Sequence, residues 1–249
     1  MAGDLQDNRG RGDVPSSIPR IHPEGRKFGL AALGLSLVFA WFAWETVAWP
    51  LAFLSLLIFA FFRDPERVVP QDDRFIVAPA DGKVVQIVEV EPPHEMVVPD
   101  GSGTEGLSAT PVTRISIYLS LFDVHINRTP IGGVVRRLVY IPGKFLNAEL
   151  DKASDDNERQ HIVIERSDGV KVGITQIAGV ISRRIIAFVK PGDTLGVGQR
   201  VGMIRFGSRV DVYLPAGTGA YVMVGQKVVA GETVLAAVGS QPLLEGVSQ

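Results

Sequence analysis

The pair of residues in this chain best suited to chemistry on the chain itself is Gly207-Ser208, which lies between two Gly- and Val-rich runs near the C-terminus. A serine hydroxyl that attacks the preceding carbonyl carbon moves the acyl group from nitrogen to oxygen, and the resulting ester can break the chain. Glycine suits this reaction, because a residue without Cβ lets the hydroxyl approach and tolerates a strained backbone. Taken alone, a Gly-Ser pair is more typical of a turn between two strands. Features elsewhere in the chain are therefore needed to distinguish self-processing from a turn.

The composition excludes several other kinds of chemistry. The 249 residues include no cysteine, which removes disulfides, thiolate nucleophiles and cysteine-based zinc sites. With 25 basic and 27 acidic residues, the formal net charge is −2, so the chain lacks the basic field that nucleic-acid binding requires. A hydrophobic content of 46% predicts one catalytic domain with a membrane segment. We expect no nucleic-acid partner and no metal.

The N-terminal quarter of the chain divides into a polar tail and an apolar segment. Residues 1–27 are rich in Gly, Asp, Arg, Pro and Ser and are predicted to be disordered. Residues 28–62 are apolar almost throughout, with interruptions at Glu45 and Pro50. As one helix they would span roughly 52 Å against a hydrocarbon core of about 30 Å, which favours a hairpin with Glu45 at its tip. The sequence therefore predicts a membrane helical hairpin; the alternative is a buried helical pair in a soluble core.

The charges that flank the apolar segment predict its orientation. Arg26 and Lys27 precede it, and Arg63 and Arg67 follow it. Because basic residues concentrate on the cytoplasmic side of a membrane, both ends of the hairpin are expected there. The predicted location is the cell membrane, with the catalytic domain on the cytoplasmic face.

From residue 63 to residue 249 the pattern changes to short Val/Ile runs separated by Gly and Pro, which predicts a β domain. A turn at 78–82 leads into a strand, residues 114–121 alternate as a strand does, and 129–140 repeat the pattern of Pro, Gly and a Val-rich run. The polar segment 145–159 is predicted to be helical or looped. The fold class expected is therefore mainly β, with few helices after the hairpin.

Two pairs of segments in the C-terminal part echo each other. Residues 189–195 are matched by 228–234, and residues 198–201 by 225–228. These Val-x-x-Gly-Asp/Glu turns resemble the turns of biotinyl and lipoyl carrier domains, which implies a flattened β-sandwich of that hybrid type. No lysine stands at a hairpin tip between flanking Val strands, as a carrier domain would require.

Five short segments, in order, resemble the shorter prokaryotic form of the phosphatidylserine decarboxylase proenzymes. They are Ala-Pro-Ala-Asp-Gly at 78–82, Asp-Val-His-Ile-Asn-Arg-Thr-Pro at 123–130, Pro-Gly-Lys-Phe-Leu-Asn-Ala at 142–148, Asn-Glu-Arg at 157–159 and Phe-Gly-Ser at 206–208. The resemblance implies self-cleavage between Gly207 and Ser208 into a large and a small chain. It also implies a covalent pyruvoyl group made from Ser208, which acts as an electron sink while phosphatidylserine becomes phosphatidylethanolamine and carbon dioxide.

The resemblance also assigns roles to Asp81, His125 and Ser208. The family activates its serine with a histidine and an aspartate, and these three positions match. The assignment is chemically sensible, because a serine hydroxyl is a poor nucleophile until a base takes its proton, and a carboxylate can hold an imidazole in the required tautomer. His125 is also the first candidate for the acid that protonates the substrate carbon after carbon dioxide leaves.

One position departs from the pattern of many family members, which carry Asp-x-His-x-x-His. Here the second histidine is replaced by Arg128. Either His125 serves both self-cleavage and the protonation of the substrate carbon, or Arg128 binds the phosphate of the lipid. Lys144 and Arg209 are further candidates for phosphate contacts, with solvated surface residues as the alternative.

Two other classes of function compete with the decarboxylase. A membrane-anchored lipoyl- or biotinyl-like binding or carrier module would explain the β repeats and the anchor without catalysis. A phosphotransferase-type domain would need a phosphorylatable histidine, and only His125 is suitably placed. The expected partners are phosphatidylserine and the two chains of the same proenzyme, and a homo-oligomer is compatible with the sequence.

Overall fold

The computed structural model of the chain describes residues 19–97, 106–143, 157–179, 184–205 and 208–240. Within them the chain forms two helices, α1 (Pro23–Trp41) and α2 (Glu45–Phe61), and 15 strands. The strands are β1 (Arg20–Ile21), β2 (Arg63–Asp64), β3 (Phe75–Val77), β4 (Gly82–Val90), β5 (Val112–Leu119), β6 (Ile126–Arg128), β7 (Gly133–Ile141), β8 (Arg159–Glu165), β9 (Lys171–Ala178), β10 (Ile185–Ala187), β11 (Thr194–Leu195), β12 (Arg200–Ile204), β13 (Ser208–Tyr213), β14 (Lys227–Val228) and β15 (Val234–Ala237).

The chain divides into two compact units. The helical unit comprises the described residues up to Glu66 together with Leu121–Val124, and the sheet unit comprises the remaining described residues. Ordered structure begins earlier than the predicted tail boundary at residue 27, because β1 pairs with β2 and α1 begins at Pro23. Proline suits this first helical position, where its missing N–H costs nothing. The predicted tail residues 1–18 lie outside the described residues.

The apolar segment forms a helical hairpin that turns where Glu45 predicts. The chain leaves α1 through residues 42–44, with Ala43 in the left-handed region at φ 57°, and α2 begins at Glu45. A carboxylate is favourable there because the N-terminus of a helix carries a partial positive charge. The predicted break and the two helices are thus confirmed.

Small residues let the two helices approach each other closely. A Cβ on Gly25 would lie 2.2 Å from Cβ of Phe62, and one on Gly29 would lie 2.2 Å from the ring of Phe59. Close approach of backbones at small residues is typical of helices that pack without a hydrophobic driving force. The hairpin therefore buries Gly25 and Gly29 between its helices and turns most of its large apolar side chains outward.

Two serines add hydrogen bonds between the helices. Ser36 Oγ donates to the carbonyl of Ala48 at 2.7 Å, and Ser55 Oγ donates to the carbonyl of Gly29 at 2.8 Å. Both hydroxyls are buried in an otherwise apolar hairpin, where a polar group needs a partner. The two bonds fix the register of one helix against the other.

The sequence predicts a membrane helical hairpin at residues 28–62; the structure bears out the hairpin, and its two helices are not membrane-spanning. Across the described part of the chain, no helix is both long enough and apolar enough to span a bilayer. The turn at 42–44 limits α2 to 17 residues. The start of α1 contains the charged residues Glu24, Arg26 and Lys27, which shorten its apolar part. A spanning helix needs about 20 predominantly apolar residues.

The sheet unit is mainly β, as predicted. Its largest element is a curled, eight-stranded antiparallel sheet in the order β11-β7-β8-β9-β13-β5-β4-β14. Bulges at 84–86 and 135–137 bend two of its strands. A three-stranded sheet in the order β10-β12-β6 and the pair β15-β3 complete the unit. Isoleucine, valine and leucine side chains from these sheets form one core, to which β13 contributes Val210 and Val212.

The echoed segments of the sequence form matching turns. Gly192 and Gly231 have φ values of 92° and 77°, and Gly198 and Gly225 have φ values of 74° and 95°. Glycine occupies this left-handed region at little cost, whereas residues with a Cβ rarely do. The repeat in the sequence is therefore a repeat of turn geometry.

Candidate active site

Ser208 is the first residue of the central strand of the large sheet. It pairs with Leu119 on β5 and with Ala178 on β9. The residue is fully buried, and among the described residues its Oγ has no hydrogen-bond partner. A buried hydroxyl without a partner costs roughly 1–3 kcal/mol, so its presence calls for a functional reason. Gly207, the other half of the predicted cleavage site, lies outside the described residues.

Backbone contacts bring the segment that ends at His125 alongside the segment that ends at Ser208. β12 and β13 are joined by residues 205–207, and β5 and β6 are joined by residues 120–125. At one end of this pair of links, the N–H of Ile204 donates to the carbonyl of His125 at 3.2 Å. At the other end, Ser208 pairs with Leu119. Ile204 and Ser208 therefore each contact a residue at one end of the segment 119–125. His125, at one end of that segment, is 1% exposed.

Asp81 lies at the same end of the sheet. Tyr118 on β5 pairs with Lys83 on β4 and with Arg209 on β13. By the same register, Gly82 lies beside Leu119, which pairs with Ser208. Gly82 is therefore two strands from Ser208. With strands about 4.8 Å apart, that separation is about 10 Å. A Cβ on Gly82 would lie 2.1 Å from the carbonyl oxygen of Tyr118, so only glycine fits after Asp81.

The carboxylate of Asp81 is fixed by two donors. Arg67 Nη2 donates to Oδ2 at 2.7 Å, and the N–H of Ala230 donates to Oδ1 at 2.8 Å. An ion pair and a backbone hydrogen bond together hold the side chain in one orientation. Asp81 is therefore a positioned anion at the end of the sheet that carries Ser208.

Arg128 is buried next to the segment of Asp81. Its N–H donates to the carbonyl of Pro79 at 2.8 Å, and its Nη1 donates to the carbonyl of Gly198 at 2.9 Å. The first bond ties β6 to the turn that precedes Asp81. The structure thus brings the segments of Asp81, His125, Arg128 and Ser208 together in one part of the sheet unit.

The structure separates Arg209 from this group and does not describe Lys144. Arg209 is 1% exposed, and its Nε and Nη2 donate to the two carboxylate oxygens of Asp211 at 2.7 and 3.0 Å. Successive side chains of a strand point to opposite faces, so Arg209 and Ser208 lie on different faces of β13. A bidentate partner in the core already satisfies this guanidinium.

A chain of buried amides near Ser208 escaped the sequence analysis. Gln160 Nε2 donates to Gln176 Oε1 at 2.8 Å, and Gln176 Nε2 donates to Asn127 Oδ1 at 2.7 Å. Gln176 pairs with Val210 and so shares the face of β13 on which Ser208 lies. Asn127 Nδ2 is buried and makes no hydrogen bond within the described residues. The signal in the sequence was a glutamine at an inward position in each of two Ile/Val-rich strands.

The opposite face of the sheet carries a polar cavity of about 270 Å³. Its walls include His161, Thr175 and Tyr213, with Glu95 and Arg159 at one side. Burial lowers the pKa of His161 to about 4 and raises the pKa of Tyr213 to about 12. His161 Nδ1 lies 2.8 Å from Thr175 Oγ1. This face therefore places a neutral imidazole and a neutral phenol beside the ion pair of Arg159 and Glu95.

Comparison with known proteins gives these positions a context. The profile of the family described as phosphatidylserine decarboxylase matches residues 54–236, which is more than half of the chain. The phosphatidylserine decarboxylase proenzymes of Novosphingobium aromaticivorans and Erythrobacter litoralis are each 65% identical over 249 residues, and cover 100% of this chain and 99% and 100% of their own length. The chain belongs to the phosphatidylserine decarboxylase family. The family predicted from five short segments is thereby confirmed.

The match to the phosphatidylserine decarboxylase family includes the whole candidate site. Asp81, His125, Arg128 and Ser208 all lie within residues 54–236. The proenzyme of Zymomonas mobilis, 53% identical over 224 residues, covers 90% of this chain and 89% of its own length. In the described part of this decarboxylase-family chain, no group of three or more His, Asp or Glu residues could hold a metal ion.

Proposed function

We propose that this chain is the proenzyme of a pyruvoyl-dependent phosphatidylserine decarboxylase, which cuts itself between Gly207 and Ser208 and then converts phosphatidylserine to phosphatidylethanolamine and carbon dioxide. Family membership and the identity to two proenzymes over the whole chain support the activity. The observation that supports the cleavage site is the buried hydroxyl of Ser208, unpartnered among the described residues, at the start of a central strand.

The proposed cleavage balances without an outside oxidant. Ser208 Oγ attacks the carbonyl carbon of Gly207, and the C–N bond breaks as the C–O bond forms, which gives an ester. Loss of the Cα proton of Ser208 then expels the carboxylate of Gly207 and leaves dehydroalanine. Water replaces its nitrogen, ammonia leaves, and the small chain begins with a pyruvoyl group. The two chains together therefore differ from the proenzyme by one water gained and one ammonia lost.

His125 and Asp81 have distinct roles in this proposal. His125 takes the proton from Ser208 Oγ, because its segment runs beside the link that contains the cleaved bond. Asp81 is a positioning residue, since Arg67 and Ala230 hold its carboxylate in a fixed orientation. General-base assistance of this kind contributes typically 10²–10⁴-fold to a rate.

After cleavage, the pyruvoyl group supplies a carbonyl that accepts the substrate amine and withdraws electrons as carbon dioxide leaves. His125 holds the proton that is delivered to the substrate carbon. Arg128 and Lys144 are the proposed phosphate contacts, because a guanidinium or an ammonium compensates the phosphate charge. We leave Arg209 out of this group, since its Nε and Nη2 already donate to Asp211 in the core.

The two proposed chains remain one folded unit. The small chain, residues 208–249, contributes β13 between β9 and β5, β14 beside β4, and β15 beside β3. Each of these pairings joins the small chain to the large one. We further propose that the matching turns at Gly192 and Gly231 frame a flattened sandwich like that of biotinyl and lipoyl carriers, which serves here only as a scaffold.

We also propose that the hairpin anchors the enzyme to the cytoplasmic face of the cell membrane, entering the bilayer from that face and returning to it. Trp41, Phe42 and Trp44 are exposed at its tip, and basic residues flank both of its ends. Aromatic rings and basic residues favour the interface between lipid and water. Protease added outside intact cells should leave the sheet unit uncut; cleavage there would contradict this orientation.

Intact mass spectrometry with serine variants tests the cleavage. The wild type should give two chains, and the small chain should lack one ammonia relative to a chain that starts with serine. Ser208→Ala should remain one chain without decarboxylase activity. Ser116→Ala is the matched control, because Ser116 is equally buried and its Oγ also lacks a partner among the described residues, so that variant should be cut normally. A wild type that stays intact would refute the pyruvoyl mechanism and favour the carrier module.

A further inference from the structure

The residues just before His125 combine strong exposure with a large apolar surface. Phe122 is 82% exposed and Leu121 is 46% exposed, whereas Val124 and His125 are 4% and 1% exposed. A single exposed apolar residue needs no explanation, but an adjacent pair at a site loop is a candidate contact surface. The pair lies three and four residues from the proposed base.

This exposed pair belongs to the helical unit. Leu121–Val124 cluster with the hairpin, whereas the strands on either side of them belong to the sheet unit. Arg63, the residue that follows the C-cap of α2, donates through Nη2 to the carbonyl of Phe122 and through Nη1 to the carbonyl of Ala60. Arg63 therefore connects the end of the hairpin to the loop that leads to His125.

The surface of the helical unit indicates what would cover Leu121 and Phe122. Its exposed large apolar residues include Phe28, Leu30, Leu35, Leu37, Trp41, Trp49, Phe53 and Leu56. Basic side chains stand at the open end of the hairpin, on Arg20, Arg26, Lys27 and Arg63. Apolar surface beside basic side chains complements a bilayer that contains anionic lipid.

We propose that Leu121 and Phe122 insert into an anionic lipid surface as a second membrane contact beside the hairpin. The inference rests on the proposed function and deepens it. Because His125 follows this contact by three residues, docking on the bilayer holds the loop of the proposed base at the surface from which phosphatidylserine arrives. The hairpin provides the anchor, and the pair provides the local contact at the site.

The absence of cysteine makes a depth measurement direct. Phe122→Cys introduces the only thiol of the chain, which can carry a nitroxide label. On vesicles of phosphatidylserine and phosphatidylcholine, this label should become protected from a water-soluble relaxation agent. A label at Val224→Cys, a 61% exposed position of the sheet unit, should stay accessible. If the label at residue 122 is protected from the relaxation agent without vesicles, and this protection rises with protein concentration, a second copy of the chain covers the pair instead. That result would overturn the proposal. A label that stays accessible on protein bound to vesicles would overturn it as well.

Activity on two forms of substrate gives a second test. Phe122→Ser should raise KM for vesicular phosphatidylserine about tenfold or more, because the burial of a phenylalanine in lipid is lost. KM for short-chain phosphatidylserine dissolved in water should change much less, and Val224→Ser should change neither. An equal loss on both substrates would overturn the docking role. If the wild type decarboxylates neither substrate, the proposed function fails, while the label experiment still tests docking.

Discussion

The helical hairpin and the eight-stranded sheet bury opposite kinds of side chain. The hairpin buries mainly glycine, alanine and serine and exposes most of its phenylalanine, leucine and tryptophan side chains. The sheet buries isoleucine and valine, and its buried polar residues include those near Ser208 and those around the cavity of His161. In the hairpin, the exposed apolar side chains therefore indicate function. In the sheet, the buried polar side chains do. Each half of this comparison can be tested separately.

The largest effect is expected at His125, where a buried polar residue is assigned to chemistry. His125→Ala should slow self-cleavage by roughly 10²–10⁴-fold, because the hydroxyl of Ser208 loses its base. Asp81→Asn should slow cleavage less, since it weakens the ion pair with Arg67 and only disturbs the positioning. The rates can be followed on denaturing gels, with His94→Ala as a control at an exposed histidine.

Two outcomes would separate the proposed roles of His125. If His125→Ala cleaves normally but no longer releases carbon dioxide, the residue serves decarboxylation and not maturation. If both activities survive, the site assigned to this segment is wrong.

A smaller effect is expected at His161, a buried polar residue on the other face of the sheet. Burial lowers its pKa to about 4, while the unfolded chain takes up this proton near pH 6.5. Between these values the unfolded state binds more protons, so the free energy of unfolding decreases as pH falls from about 6.5 towards 4, by roughly 3 kcal/mol in total.

Denaturant melts across this pH range test the prediction, because His161→Asn should flatten the pH dependence between 4 and 6.5. The amide of asparagine can still reach Thr175, and self-cleavage near neutral pH should persist. His94→Asn should leave the slope unchanged. A wild-type slope that survives the loss of His161 would assign the effect to Glu95 and the other acids of this face.

The smallest effect concerns the packing of the hairpin. Gly25→Leu places a side chain against Cβ of Phe62, and overpacking of this kind costs about 1–3 kcal/mol. The helices should separate, and the fraction of protein that sediments with phosphatidylserine vesicles should fall. Gly34→Leu is the matched control, because a Cβ at that position meets nothing within 4 Å. Self-cleavage should continue in both variants; an equal loss of vesicle binding in both would contradict the packing argument.

The sequence predicted those features that depend on local patterns. Val/Ile runs between glycines predicted the strands, and Glu45 predicted the turn of the hairpin, because each signal lies within the segment it describes. The lengths of the two helices were not predicted, because the turn at 42–44 divides the apolar segment, and neither helix is long and apolar enough to span a bilayer. The candidate residues came from the family resemblance, and composition alone supported only an anchored β protein.

Other features depend on contacts between distant segments. Gln176 reaches Gln160 and Asn127 only because β8 and β9 pair in register and β6 packs against them. No spacing in the sequence specifies that arrangement. The pair of Arg209 and Asp211 is different, because residues two apart in a strand share a face, and recognising β13 as a strand would have predicted it.

The position of β13 has a consequence for the life of the molecule after processing. Its six residues, Ser208–Tyr213, pair on both sides with strands of the other proposed chain. Before cleavage, the covalent link keeps this strand at a high effective concentration near its partners. After cleavage, refolding becomes a reaction between two molecules, and its yield depends on their concentration. The single-chain proenzyme therefore refolds independently of its concentration, whereas the recovery of the unfolded mature enzyme should fall as the protein is diluted.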